Sequence, residues 1–206
     1  MIPTLFYALL WLSFGAAHTL LASPPGRRWL ELVAGPAHRL VYNLLASVHL
    51  GVVLGAGWRL LHGFPAFTLP AVVRPLQALT FLAGLVILAV AGRSYDFARF
   101  AGFTQLRLWV PDSALATEGL ATGGMNARVR HPLYLGVLLM LWGGSTTLFA
   151  LATAVCGTVY ILVGIRFEED KLLRLYGDAY AAYRKHVPML LPWPGGHPKR
   201  QGNHLL

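Results

Sequence analysis

Long apolar stretches alternate with short polar segments along this chain. Five of the stretches, at about residues 2–23, 40–62, 70–92, 132–148 and 149–166, have the length and character of membrane-spanning helices. The last two come from one run of 34 residues, Pro132 to Ile165, that contains no Asp, Glu, Lys or Arg. As a single straight helix this run would be about 51 Å long, whereas the hydrocarbon core of a bilayer is roughly 30 Å thick.

The sequence GGSTT, Gly143 to Thr147, supplies a break within that run. We therefore predict two short helices joined by a tight turn, which form a C-terminal helical hairpin. The predicted fold class is all-α, a polytopic membrane protein with about five transmembrane helices in one domain that covers residues 1–206. The polar segments 93–131 and 166–194 flank the hairpin, and we expect them to form a polar pocket at the membrane surface.

The basic residues predict how the chain is oriented. Because five spans alternate sides, the segments 26–39, 93–131 and 166 onwards share one side of the membrane. These segments contain 15 of the 17 Lys and Arg residues, and only Arg59 and Arg74 lie in the other loops. Cytoplasmic loops carry the excess of basic residues, so we expect the N-terminus outside and the C-terminus in the cytoplasm.

Composition agrees with a membrane protein and limits the possible partners. The chain is 56% hydrophobic and only 12% charged, whereas soluble domains carry about a quarter charged residues. The net charge of +9 comes from the cytoplasmic segments, and no aromatic-interleaved basic patch indicates nucleic-acid binding. The expected partners are therefore membrane lipid and small molecules. A single cysteine, Cys156, excludes an internal disulfide and a multi-cysteine metal site.

Charged residues converge on the cytoplasmic end of the predicted hairpin. Arg130 and His131 open its first helix, and Arg166 closes its second, directly before Glu168 and Glu169. Because a hairpin brings its two ends together, we expect these groups to face each other although 35 residues separate His131 from Arg166. Charged side chains at a membrane edge are costly, and are therefore candidates for function.

These residues also have structural explanations. Arginines at a cytoplasmic helix end satisfy the positive-inside rule, and the spacing of Glu168 and Lys171 allows a surface ion pair. Glu168 and Glu169 would also favour the N-terminus of a new helix. His18 and His49, within the first two spans, are most simply explained by hydrogen bonds to neighbouring helices, with axial ligation of a haem as the alternative.

Two motifs resemble the isoprenylcysteine carboxyl methyltransferase family of integral-membrane methyltransferases. The first is RHPLYLG, Arg130 to Gly136, and the second begins about 30 residues later with Glu168-Glu169 and continues through LYGDAYAAYRKHVP. The N-terminal sequences FGAAHTLLAS and HRLVYNLLASVHL look more like the NnrU-type and methanethiol methyltransferase branch of bacterial relatives. This resemblance implies a bacterial inner-membrane protein.

The resemblance also implies S-adenosylmethionine as the cofactor, bound on the cytoplasmic side between the hairpin and the C-terminal helix. Arg166 matches an arginine linked to the acceptor and is the implied catalytic residue. Asn126 stands where many relatives have a tyrosine, which alters one wall of the implied site. The implied cofactor-binding residues are Glu118, Gly119, Leu120, Ala121, Asn126, Arg130, His131, Pro132, Tyr134, Glu168 and Glu169.

The implied reaction is methyl transfer to a small lipophilic acceptor, a thiol or a carboxylate, at the cytoplasmic membrane interface. Such an acceptor is already nucleophilic or becomes so as a thiolate, so alignment and exclusion of water would supply the catalysis. The alternative function is a haem-binding or accessory membrane protein of the NnrU type that supports denitrification, with His18 and His49 as ligands.

Overall fold

A computed structural model describes residues 2–110 and 119–192 of the chain. Within these ranges every regular element is helical. The α-helices are α1 (Ile2–Ala22), α2 (Pro24–Ala34), α3 (His38–Leu61), α4 (Val73–Gly92), α5 (Phe97–Ala101), α6 (Phe103–Leu108), α7 (Pro132–Gly143), α8 (Leu148–Tyr176) and α9 (Asp178–His186).

The lengths of these helices confirm the predicted fold class, an all-α polytopic membrane protein. In the described ranges four helical segments are long and apolar enough to cross a membrane: Ile2–Ala22, Pro24–Leu61, Val73–Gly92 and Leu148–Tyr176. The helix α7 has 12 residues, which corresponds to about 18 Å and is shorter than a hydrocarbon core. It ends at Gly143, five residues before the predicted end of its span, and α8 begins at Leu148, so GGSTT does break the run.

The short α7 packs closely against α4 through glycines. A Cβ on Gly84 of α4 would lie 2.7 Å from the carbonyl oxygen of Gly136 and 2.8 Å from the backbone nitrogen of Met140, both on α7. A Cβ on Gly136 would in turn lie 3.0 Å from the Gly84 carbonyl oxygen. Small residues let two membrane helices approach backbone to backbone, which maximises their van der Waals contact.

A second packing centre joins α1, α3 and α8. Tyr7, Phe14, Val53 and Leu61 form its buried cluster. The Tyr7 hydroxyl is 2.8 Å from the Thr153 hydroxyl of α8. A buried hydroxyl in an apolar environment needs a partner, so this bond holds α1 against α8 at no desolvation cost.

The helix α8 continues beyond its apolar part. Arg166, Glu168 and Glu169 lie inside this helix, which ends ten residues after the predicted end of the span at 166. The helix continues because the residues from 166 to 176 are mostly good helix formers and include no Gly or Pro. It stops where Gly177 adopts φ 53°, a value in the left-handed region that glycine adopts without strain.

The loops meet at two opposite ends of the helices. At one end Phe67, between α3 and α4, donates its backbone N–H to the carbonyl of Thr146, between α7 and α8 (3.0 Å). At the other end the amide side chain of Asn43, near the start of α3, donates to the Phe100 carbonyl in α5 (2.9 Å). The segment between α4 and α7 therefore lies at the same end as the start of α3.

Candidate functional site

The predicted hairpin mouth begins with His131, the residue before α7. Its backbone, with φ −125° and ψ 65°, lies outside the α-helical region, which a following proline disfavours. Pro132 follows at the first helical position, where its missing N–H costs nothing. The His131 side chain does not cap the helix and is only 5% exposed. The imidazole is therefore available to groups on α8.

Arg130 forms a buried ion pair with Glu169. The Arg130 Nε donates to Glu169 Oε1 at 2.7 Å, and its Nη2 lies 2.6 Å from the same oxygen. Both side chains are nine-tenths or more buried. A second arginine, Arg184 of α9, lies 3.7 Å from the other oxygen, Glu169 Oε2. The Glu169 carboxylate is thus held between α7, α8 and α9.

The remaining Arg130 nitrogen fixes the chain after α9. Its Nη1 donates to the carbonyls of Arg184 (3.1 Å) and Val187 (2.5 Å). The backbone N–H of Arg130 also donates to the Pro188 carbonyl, and that of His131 to the Met189 carbonyl. All three nitrogens of the Arg130 guanidinium therefore have partners within the protein. We call Arg130 and Glu169 together the clamp.

His131 lies between the two adjacent glutamates. Its Nε2 is 3.3 Å from Glu169 Oε1, and its Nδ1 is 3.8 Å from Glu168 Oε2. The ring stacks on Tyr134, with centroids 5.6 Å apart and an angle of 30° between planes. The clamp and the stacking together fix the orientation of the imidazole.

Glu168 differs from its neighbour because it faces a pocket. Its side chain is 41% exposed, whereas that of Glu169 is 8% exposed. The pocket has a volume of about 180 Å³ and is lined by Tyr95, Phe97, Phe100, His131, Leu133, Tyr134 and Glu168. The lining of the pocket therefore combines a carboxylate and an imidazole with four aromatic residues.

Asn126 connects the segment before α7 to α9. Its side-chain amide donates to the Ala121 carbonyl at 3.1 Å, and its backbone carbonyl accepts from the Tyr183 hydroxyl at 2.6 Å. Burial raises the pKa of Tyr183 to about 12, so the hydroxyl remains a donor at neutral pH. The Asn126 side chain thus has a structural role here.

The structure brings His131, Tyr134 and Glu168 together around the pocket and places Arg130 and Glu169 directly behind them. Gly119, Leu120 and Ala121 are described but do not line this pocket, and Glu118 lies outside the described residues. Pro132 is buried as the first residue of α7. The structure does not bring Arg166 to the pocket: its exposed side chain and that of Glu168 are about 200° apart around α8.

The two histidines of the alternative function have protein partners. His18 Nε2 is 2.6 Å from the Tyr42 hydroxyl, and His18 Nδ1 is 3.1 Å from the Tyr160 hydroxyl. His49 Nε2 is 3.3 Å from the Ser13 hydroxyl. With both ring nitrogens of His18 engaged, axial ligation of a haem iron is disfavoured. No group of three or more metal-binding side chains occurs in residues 2–110 and 119–192.

Sequence reasoning missed the aromatic wall of the pocket and the segment after α9. Tyr95, Phe97 and Phe100 belong to a polar segment in which no periodic pattern marks them as pocket residues. One local signal was available: Asp96 caps α5 by accepting from the Arg99 N–H at 2.9 Å. Pro188 and Met189 contribute only backbone carbonyls, which the sequence cannot identify.

The fold and the site define an integral-membrane protein with a partly polar pocket at the end of a helical hairpin. The chain is 34% identical over 195 residues to "Methanethiol S-methyltransferase" of Mycobacterium tuberculosis, covering 89% of this chain and 76% of that protein. It is 30% identical to the protein of the same name from Crocosphaera subtropica, covering 88% and 72% of the two chains. The chain belongs to this family of membrane methyltransferases.

A more distant relative supports the same family. "Protein-S-isoprenylcysteine O-methyltransferase" of Rattus norvegicus is 32% identical over 140 residues, which cover 63% of this chain and 48% of the rat protein. No protein-family model matches the chain. No solved structure matches it either. The resemblance inferred from the two sequence motifs is confirmed by these relatives.

Proposed function

We propose that this protein transfers a methyl group from S-adenosylmethionine to a small lipophilic thiol at the cytoplasmic face of a bacterial inner membrane. The observation that carries the proposal is the pocket that Glu168 and His131 line together with Tyr95, Phe97 and Phe100. It lies next to the clamp, because His131 also contacts Glu169. The names of the relatives support methyl transfer and a thiol acceptor.

The residues present suit S-adenosylmethionine, which supplies an electrophilic methyl group on a positively charged sulfur. The Glu168 carboxylate is partly exposed and lines the pocket, whereas the carboxylate of the clamp is buried. A carboxylate accepts hydrogen bonds from hydroxyl or ammonium groups, and aromatic faces attract a cation. The volume of about 180 Å³ is below the roughly 300–1,000 Å³ of sites for drug-sized ligands. The pocket therefore suits the reacting end of the cofactor and a small acceptor.

We assign different roles to the charged residues. Glu168, His131 and Tyr134 bind the cofactor from the polar side of the pocket. Arg130 and Glu169 act as positioning residues, because each is already engaged by protein groups. The stretch 118–121, Asn126 and Pro132 belong to the cofactor site through the family resemblance.

Catalysis in this proposal depends on alignment and on exclusion of water. The aromatic wall keeps the reacting atoms in an apolar environment, where a thiolate is poorly solvated and reactive. When bound, S-adenosylmethionine would supply the methyl group: the acceptor thiol would lose its proton to water, its sulfur would bond to the methyl carbon, and the electron pair of the broken bond would remain on the sulfur of S-adenosylhomocysteine. Arg166, on the exposed face of α8, would attract an anionic acceptor at the surface rather than touch the reacting atoms.

The experiment that tests this function measures labelled methyl transfer by the purified protein in detergent. Methyl-labelled S-adenosylmethionine is incubated with methanethiol, other lipophilic thiols, carboxylates and amines in parallel. We expect a labelled thioether from small thiols and a much lower yield with Glu168→Gln. Absence of product from every acceptor would refute the proposal, provided that a thermal unfolding transition shows that the protein is folded.

A further inference from the structure

Two phenylalanines of α5 form the apolar side of the pocket. Phe97 and Phe100 line the pocket, although they are 57% and 63% exposed overall. His131 and Glu168 line the same pocket and supply its polar groups. A substrate bound in this pocket must fit the space that the rings leave.

The helix α5 is held firmly in place by polar contacts to α3. Asn43 of α3 donates to the carbonyls of Phe100 (2.9 Å) and Ala101 (3.2 Å). The Arg39 guanidinium, also of α3, donates to the Arg99 carbonyl at 3.0 Å. Three carbonyls in the last turn of a five-residue helix are thereby bound to a long helix. The phenylalanine backbone cannot withdraw without breaking these bonds.

Gly102 completes the attachment of α5. Its φ of 98° lies in the left-handed region, and a Cβ there would stand 2.7 Å from the backbone nitrogen of Leu40. This position therefore requires glycine both for its conformation and for its close contact with α3. The tight junction keeps α5 against α3, so the rings form a wall of fixed position.

We propose that Phe97 and Phe100 set an upper limit on the length of the acceptor, so that the enzyme uses short-chain thiols and rejects long-chain ones. This inference rests on the proposed methyl transfer to a thiol. Its basis is the pocket of about 180 Å³ that is lined by two rings whose backbone is bonded to α3. The donor's reacting end takes part of that space, which leaves room for only a few carbon atoms beside it.

The test compares the kcat/KM of methanethiol, butanethiol and octanethiol, with labelled S-adenosylmethionine as donor. Wild type is expected to prefer methanethiol. Phe97→Ala and Phe100→Ala should raise the ratio of octanethiol to methanethiol by about tenfold or more, because one methylene in an apolar pocket changes kcat/KM by about 10- to 200-fold. Phe100→Trp should lower the use of butanethiol.

Phe103→Ala is the matched control. Phe103 is the first residue of α6, is 57% exposed like Phe97 and does not line the pocket. It should leave the ratio unchanged. Calorimetric titration gives the affinity of each variant for S-adenosylmethionine, so that all kcat/KM values are compared at saturating donor, and thermal unfolding verifies that each variant is folded.

The outcomes separate this inference from the proposed function. If wild type methylates no thiol, the proposed function fails and the length limit fails with it. If wild type methylates methanethiol but Phe97→Ala and Phe100→Ala match Phe103→Ala, the rings do not set the limit. The inferred length limit would also be overturned if wild type used octanethiol as well as methanethiol, or if the variants changed only the affinity for S-adenosylmethionine.

Discussion

Two polar clusters lie among the apolar helices of this protein, and they differ in charge and in what they leave open. The first consists of Arg130, His131, Glu168 and Glu169 at the end of the hairpin. The second consists of His18, Tyr42 and Tyr160, between α1, α3 and α8. The first contains a partly exposed carboxylate beside a pocket, whereas the second contains no carboxylate and both of its imidazole nitrogens have tyrosine hydroxyls as partners.

This difference shows which polar groups inside a membrane protein are available for chemistry. Each group in the second cluster offsets the desolvation of another, so the cluster can join three helices without any ligand. In the first cluster Arg130 and Glu169 bind each other in the clamp, whereas the adjacent Glu168 lines the pocket. Neighbouring glutamates in one motif thus have separate tasks.

The largest effect should come from Arg130→Ala, which breaks the clamp. Removal of the Arg130 guanidinium leaves the buried Glu169 carboxylate with only His131 and the more exposed Arg184 nearby, and breaking a buried ion pair typically costs about 3–5 kcal/mol. We expect a large fall in the temperature of unfolding in detergent and loss of methyl transfer. Arg128→Ala is the control, because that neighbouring side chain is exposed and should be neutral. A stable, active Arg130→Ala protein would contradict the role of the clamp.

Glu168→Gln should sharpen the contrast between the two glutamates. Loss of a hydrogen bond to a charged group costs about 1.5–3 kcal/mol, so the affinity for S-adenosylmethionine should fall about 10- to 100-fold with little change in stability. Glu169→Gln should instead lower stability, because it removes the charge that pairs with Arg130. Calorimetric titration and thermal unfolding of both variants test this division. The same effect from both would show that the glutamates are equivalent.

His18→Phe tests the second cluster and should have a smaller effect. The Tyr42 and Tyr160 hydroxyls lose their partner, and hydrogen bonds between membrane helices are worth about 1 kcal/mol. We expect slightly reduced stability, unchanged kcat/KM and no haem absorption in the purified wild-type protein. A Soret band that disappears in the variant would restore the haem-binding alternative.

Tyr183→Phe should have the smallest effect, about 0.5 kcal/mol, because it removes one neutral and half-exposed hydrogen bond to Asn126. Burial raises the pKa of Tyr183 to about 12, above the usual value near 10. The native state thus favours the protonated hydroxyl, and its contribution to stability is complete below pH 10 and declines between pH 10 and 12. The free energy of unfolding, measured between pH 10 and 12, should decline less steeply in the variant than in wild type. An equally steep decline in both would exclude Tyr183 as its source.

Much of the fold could be predicted because its signals are local. An apolar run of 34 residues is too long for one span, and GGSTT marks the break at which α7 ends and α8 begins. The length of α8 beyond Arg166 was less evident, because hydropathy marks the end of the apolar part and not the end of the helix. Gly177, where the helix does stop, is visible in the sequence only as one glycine among several.

The candidate site could be predicted only in part. The convergence of His131 with Glu168 and Glu169 follows from the hairpin, since its two ends must meet. Which glutamate is locked and which faces the pocket does not follow, because adjacent helical positions differ by about 100° in direction and the neighbours decide their surroundings. The aromatic wall of α5 was equally hidden, because its position depends on Arg39 and Asn43, about 60 residues earlier.

By itself, the sequence determined the membrane class, the broken helical run and the convergence of charges at one end, because hydropathy, chain length and connectivity act locally. The tertiary structure alone decided that Arg130 is engaged by Glu169 and by backbone carbonyls, that Arg166 does not line the pocket, and that Phe97 and Phe100 do. These features depend on contacts between residues far apart in the chain, and side-chain partners across such distances are selected by packing rather than by pattern.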